Sequence, residues 1–297
     1  MNSLNSIVPN LFASTLQETL HDATVALMAG LAEPRFQADL SVGDEIDWSR
    51  HNKRTVQVLA DPNADVTVQP IITTGEKLII NINVHDAFDI NQKEMVQVIV
   101  DPINNVMRES QIAYAERVDT DLLSEYANAG IVFDDGDLIG GTATNPVVLS
   151  AANVNQVFIQ LRKKMKQNSM RMLDSRIIID PAVLAAIMLD KSNFVGANVL
   201  GDSMVMSGQV GLYQGFRIWE SNRLIVTGAT THILAYSMDR GSPVSFATQI
   251  FPTLEHTTSN MRTKFVGLWK SQLLYGIKTF VSGREMLVDV QLDLSGI

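Results

Sequence analysis

The sequence predicts an α+β fold, and two patterns carry that reading. Some segments repeat apolar residues every three or four positions, as helices do. A separate long block alternates apolar with other residues, as strands do. The length of 297 residues allows a sizeable core and about two domains. Composition fits a globular chain, with 46% hydrophobic and 19% charged residues.

Phe12, Leu16, Leu20, Ala23, Leu27 and Leu31 predict an amphipathic helix over 11–31, with Asn10 as its N-cap. Strands follow at Ile46 and Trp48, Val56 and Val58, Val66 and Val68, then Leu78, Ile80, Ile82 and Val84. The turn between the middle pair is ADPNAD, residues 60–65. These middle strands are polar on one face and flanked by Asp44, Glu45, Asp47, Arg50, Lys53 and Arg54. A lone hairpin of this kind is marginal in water, so it needs a surface to lie on. Nothing nearby in the chain obviously supplies one; a neighbouring subunit would.

After NQKE the period becomes helical over 91–128, through Met95, Ile99, Ile103, Val106, Ile112 and Leu122, with Pro102 expected to interrupt or kink the run. DDGDLIGGTATNP, residues 134–146, reads as a linker. A helix over 153–168 follows, capped by Ser150 or Asn153. RIIID gives a buried strand at 176–179, with Asp180 capping a helix that Pro181 opens. Strands are expected at 215–219, 232–236 and 244–249, and apolar or alternating runs at 265–282 and 286–294.

Motifs of chemistry are few. GQVGLYQGFRIWESN, residues 208–222, lacks the lysine of a phosphate loop, and a strand rather than a helix follows its glycines, so it reads as a turn. Asp134, Asp135 and Asp137 lack calcium-loop spacing and read as a solvated acidic loop. Arg162, Lys163, Lys164 and Lys166 read as a solvated helix face. His21, His51, His85, His232 and His256 are too scattered for a histidine metal motif. A serine could pair with His232 and an aspartate, but no GxSxG elbow marks one. The absence of cysteine excludes disulfides and thiolate zinc sites. No apolar run approaches the roughly 18 residues of a membrane span. The start, MNSLNSIVPN, lacks the features of a secretion signal. The formal net charge of −9 disfavours non-specific binding to nucleic acid.

The order of the pieces is more telling than any one of them. An N-terminal helix, a charged ribbon, a long helix ending in RVDTDLLSEYANAG, the unit RIIIDPAVLAAIM, the glycine turn and GLWKSQLLYGIKTF succeed one another. This arrangement resembles the major capsid proteins of tailed bacteriophages, the Hong Kong 97-type fold. Pro181, Gly208, Gly211, Gly215 and Phe216 match the family's strand, Pro, helix and glycine-turn pattern, with Ile218 at its last apolar position. The segment around Tyr275 and Gly276 looks like the family's returning strand.

The resemblance implies an N-terminal arm over 1–37, an extended loop over 38–89 and a peripheral domain with a long helix over 90–140. It further implies an axial domain over 141–250 and a return to the peripheral domain over 251–297. The implied function is structural and non-catalytic, without a cofactor or metal: self-assembly through hexamers and pentamers into an icosahedral shell. The shell would enclose DNA without sequence-specific binding and would be assembled in the host cytoplasm. The ribbon would lie on the adjacent subunit, which makes Trp48, Arg50, Lys53 and Arg54 the candidate intersubunit contacts. Only some 40 residues precede the ribbon, so a scaffold, if needed, is expected to be a separate protein, beside a portal and any decoration protein. Cross-linking through Lys53 or Lys77 has little support. An encapsulin-like nanocompartment and an α+β enzyme are the competing readings.

Overall fold

The structure is a computed structural model describing residues 24–34, 45–52, 54–58, 65, 66, 68–91, 102–189, 194–196, 209–252, 254–257 and 266–297. Within the helix expected over 11–31, the described part is the four-residue helix α1 (Val25–Met28), which starts after an extended Thr24. Asn10, Phe12, Leu16, Leu20 and Ala23 lie outside the described residues. The helix ends earlier than its periodicity suggests, because Gly30 adopts φ +73° and turns the chain into β1 (Ala32–Pro34). Leu31 is fully buried in that turn rather than on a helix face.

β2 (Glu45–His51) and β3 (Thr73–Ile79) form an antiparallel ribbon with Glu45 opposite Ile79 and His51 opposite Thr73. The further strands expected at Val56, Val58, Val66 and Val68 do not form. Pro70 lacks the N–H that would carry the ladder outward. Side chains take over instead: Gln69 donates to the Thr55 carbonyl at 2.7 Å and accepts the Thr55 amide at 3.3 Å. Most of the expected turn at 60–65 lies outside the described residues.

β4 (Ile82–Asn91) precedes α2 (Pro102–Leu123), which a 3-10 turn over Ser124–Asn128 continues. Met95 and Ile99 lie outside the described residues. Pro102 is the first described residue of α2, where a missing N–H costs no intrahelical bond; residues 92–101, on which the expected interruption depends, lie outside the described residues. The chain continues through β5 (Ile131–Phe133), β6 (Val147–Val148), α3 (Val154–Gln167), β7 (Ser175–Ile179), α4 (Pro181–Leu189) and β8 (Phe194–Gly196). Next come β9 (Gln209–Tyr213), β10 (Phe216–Glu220), β11 (Val226–Thr227), β12 (Thr230–Ser237), β13 (Val244–Ile250) and β14 (Glu255–Thr257). β15 (Val266–Lys278), α5 (Val281–Arg284) and β16 (Leu287–Asp293) end the list of elements used below.

Two larger sheets organise the described residues. In the first, β15 carries β4 along one edge, from Asn91 opposite Val266 to Ile82 opposite Tyr275, while β13 and β14 pair with its other edge. Helix α2 lies across this sheet: Tyr114 Oη donates to the Ser271 carbonyl at 3.0 Å, and Tyr275 Oη bonds Asp121. The second sheet runs β5-β16-β12-β7-β10-β9-β8. Its central strands, IIID-like in β7 and almost wholly buried in β12, read as apolar runs because both faces are covered. Helix α3 supplies part of that cover, Phe158 meeting Tyr213 edge-on at 5.0 Å.

Residues 251–297 contribute to both sheets, β14 and β15 to the first and β16, between β5 and β12, to the second. One expectation is corrected here: 134–146 is not a linker. Asp134 and Asp137 form a reciprocal capping box, and Asp134 Oδ2 and Asp135 Oδ2 accept the Thr144 and Thr142 amides at 2.8 Å. The acidic run is therefore consumed by its own loop, with Asp137 also paired to Lys164. At α3 neither proposed cap binds a helix amide; Asn153 Oδ1 accepts the Ser150 amide instead.

Candidate assembly ribbon

The ribbon has a foot and an outer half, and the two differ in support. At the foot, Leu78 and Ile80 pack with Ala247 and Phe280 in a small separate core, which Ile46 and Leu274 border. Trp48 lies 6.2 Å from the Phe280 ring, centroid to centroid. Polar ties reinforce this: Glu76 Oε2 accepts the Val281 amide at 3.0 Å, and Arg50 pairs with Glu285 at 3.2 Å. Gly276 of β15 permits the approach. A Cβ there would stand 2.5 Å from the Ile79 carbonyl oxygen.

The chain thus supplies a surface that sequence inspection did not find. Trp48 and Arg50, expected at a neighbour's surface, have partners within their own chain. Arg54 donates to the Gln69 carbonyl across the ribbon, and Lys53 lies outside the described residues. Lys77 pairs with Glu45 on the facing strand.

The outer half is different. Val56 and Val58 are 95% and 94% exposed, and Val66, Val68, Ile71 and Ile72 are exposed as well. Continuing the ribbon's register sets Val56 across from Val68 and Val58 across from Val66. These exposed branched apolar residues gather on one outer segment of the ribbon. This valine cluster was legible as strand alternation, but not as a surface.

The glycine turn is what its sequence suggests. Gln214 and Gly215 adopt φ +48° and +85°, the primed hairpin turn that joins β9 to β10. Arg162 of the basic run donates to the Gln214 carbonyl at 3.0 Å, and a Cβ on Gly215 would lie 2.6 Å from its guanidinium. Arg162 and Lys164 make internal contacts from a helix face that stays solvent-exposed at Arg162, Lys163 and Lys166, as the run was read. Gly211 lies in β9 opposite Ile218, Phe216 is fully buried, Pro181 opens α4 and Asp180 accepts the Ala182 amide at 2.8 Å. Gly208 lies outside the described residues.

His232 does find an aspartate. Its Nδ1 is 3.0 Å from both carboxylate oxygens of Asp289, on the neighbouring strand, and Tyr126 stacks over the imidazole at 3.9 Å. Burial pushes the Asp289 carboxyl upward, with Gln291 and His232 opposing it. Among the described residues no serine bonds this imidazole, so the pair is a buried cross-strand tie and not a triad. No three metal-ligating side chains converge among the described residues, and none of their helices is long and apolar enough to cross a membrane.

With this geometry in hand, comparison is decisive. Residues 77–272 match the family model described as phage capsid protein. The chain belongs to the phage capsid protein family. This capsid protein is similar in structure to a solved chain of Mycobacterium phage Che8, at 18% identity and a TM-score of 0.67, covering 91% of this chain and 92% of that one. It is also similar to the capsid of Cyanophage P-SCSP1u, at 12% identity and TM-score 0.65, covering 88% and 85%. The mature capsid of bacteriophage PhiM1 follows at 14% and 0.64, covering 89% and 86%. No curated protein matches it. The shared fold is the Hong Kong 97 type, so the α+β capsid fold read from the sequence is the observed one.

Proposed function

We propose that this major capsid protein builds an icosahedral shell around phage DNA from hexamers and pentamers. In this reading the outer ribbon, with Val56, Val58, Val66 and Val68, lies on the adjacent subunit. One observation carries the proposal: the foot is bound to its own chain, while the valines beyond it stand 73–95% exposed. A monomer gains nothing from holding such a segment away from its core, whereas a shell needs head-to-tail contacts between copies. The net charge of −9 suits a container that must not grip its contents. The role is structural and involves no catalysis. The first sheet, α2 and β15 serve as the peripheral domain, and the second sheet, including β16, as the axial one. Assembly takes place in the host cytoplasm with a separate scaffolding protein and a portal.

Negative-stain microscopy of the purified chain, alone and with its neighbouring gene products, tests this. Capsomers or shells are expected, and nucleic acid as their content separates a phage capsid from an encapsulin-like compartment holding protein. A monodisperse monomer or dimer under every condition refutes the proposal.

A further inference from the structure

Residues 24–34 touch three parts of the molecule at once. The Ala26 amide donates to Asp119 Oδ1 of α2 at 2.8 Å, with both residues fully buried. The Ala29 carbonyl accepts twice from the second sheet, from Tyr236 Oη of β12 and Arg176 Nη1 of β7, each at 2.7 Å. Asp174 aims that guanidinium, accepting Nη2 at 2.8 Å and Nε at 3.3 Å. Toward the first sheet, Val244 of β13 donates to the Leu31 carbonyl at 3.1 Å, and β1 runs parallel along β13.

Simple packing of a four-residue helix does not require this set of groups. Asp119 is wholly enclosed, yet its second oxygen, Oδ2, has no hydrogen-bond partner among the described residues. A buried carboxylate with unmet bonding capacity is costly, and an apolar residue would fill the space without that cost. What an apolar residue could not do is hold the Ala26 amide in register. The two sheets are joined near this region by chain crossovers at 238–243 and 279–286, which fix where the strands meet but leave their mutual rotation to non-covalent contacts.

We infer that residues 24–34 are a latch that sets the angle between the two sheets, with Asp119 as its catch and the Ala29 carbonyl as the second tie.

The test uses the full chain, which contains no cysteine of its own. Ala87→Cys on β4 and Thr227→Cys on β11, both exposed, carry nitroxide labels on the two sheets. Double electron–electron resonance reads their distance distribution, and amide exchange is followed at Ala26 and Val244. Asp119→Ala is expected to broaden the distribution and to speed exchange at both amides about tenfold or more. Asp119→Asn keeps the acceptor and leaves both near the parent values. Faster exchange at Ala26 with an unchanged distance distribution, or with Val244 unaffected, overturns the latch. Should Asp119→Ala fail to fold, Tyr236→Phe decides: it removes one donor to Ala29, and an unchanged distribution with unchanged exchange at Val244 overturns the inference equally.

Discussion

Replacing Gly276 by alanine perturbs the ribbon without changing any residue of the ribbon itself. The added Cβ would lie 2.5 Å from the Ile79 carbonyl oxygen, about 0.9 Å inside ordinary contact, and 3.1 Å from Ile80 Cα. Both neighbours are backbone, so no side chain can swing aside, and the ribbon's foot must lift. If the foot tilts over its packed length of about 10 Å, the rotation is about 5°. Carried along roughly 40 Å of extended chain, that moves the outer valines by about 4 Å. Overpacking of this kind costs about 1–3 kcal/mol, a loss of a few degrees in Tm. Thermal unfolding and negative-stain microscopy of Gly276→Ala should therefore show a folded subunit, slightly less stable, with a severe loss of regular shells. Gly276→Val should be worse on both counts. Normal shell yield with an unchanged Tm would refute the lever argument.

Other perturbations separate the parts. Val56→Ser together with Val68→Ser should leave Tm within about a degree, because surface changes cost little, yet abolish assembly by sedimentation; intact shells would argue against an apolar outer contact. Leu78→Ala, at a fully buried site of the foot, should cost about 2–5 kcal/mol by thermal or denaturant unfolding. Burial raises the Asp119 carboxyl pKa above its ordinary value of 3.8. The folded state then holds that proton more tightly than the unfolded state does. The group's contribution to stability is accordingly greatest at or below pH 3.8 and is lost as pH rises through the folded value. Asp119→Asn should flatten the Tm-against-pH curve between these limits, and a parallel curve would contradict this sign.

How much of this was legible depended on the range of the interactions. Asp180 and Pro181 are adjacent, and so are the residues of the Gln214–Gly215 turn, so their geometry is local and reads directly from the sequence. The foot of the ribbon did not read, because Phe280 and Glu285 lie more than 230 residues from Trp48 and Arg50. The outer strands were over-read. Alternation at Val56 and Val58 is the right period for a strand, but Pro70 on the facing segment ends the ladder. Asp134, Asp135 and Asp137 looked solvated because no sequence pattern shows a carboxylate turning back onto amides seven and ten residues away. The placement of β16 was beyond reach for another reason: a short apolar strand fits either sheet, and only the completed β12 edge selects one.

The pairing of Gln69 with Thr55 has a mechanical consequence. A β-ladder has a stiffness set by its peptide groups, which every sequence shares. Past Asn52 the ribbon is cross-braced by the side chains of Asn52, Arg54 and Gln69. Its compliance is therefore set residue by residue. Single substitutions can make this arm more pliant or more rigid while its root, and the subunit that carries it, stay the same.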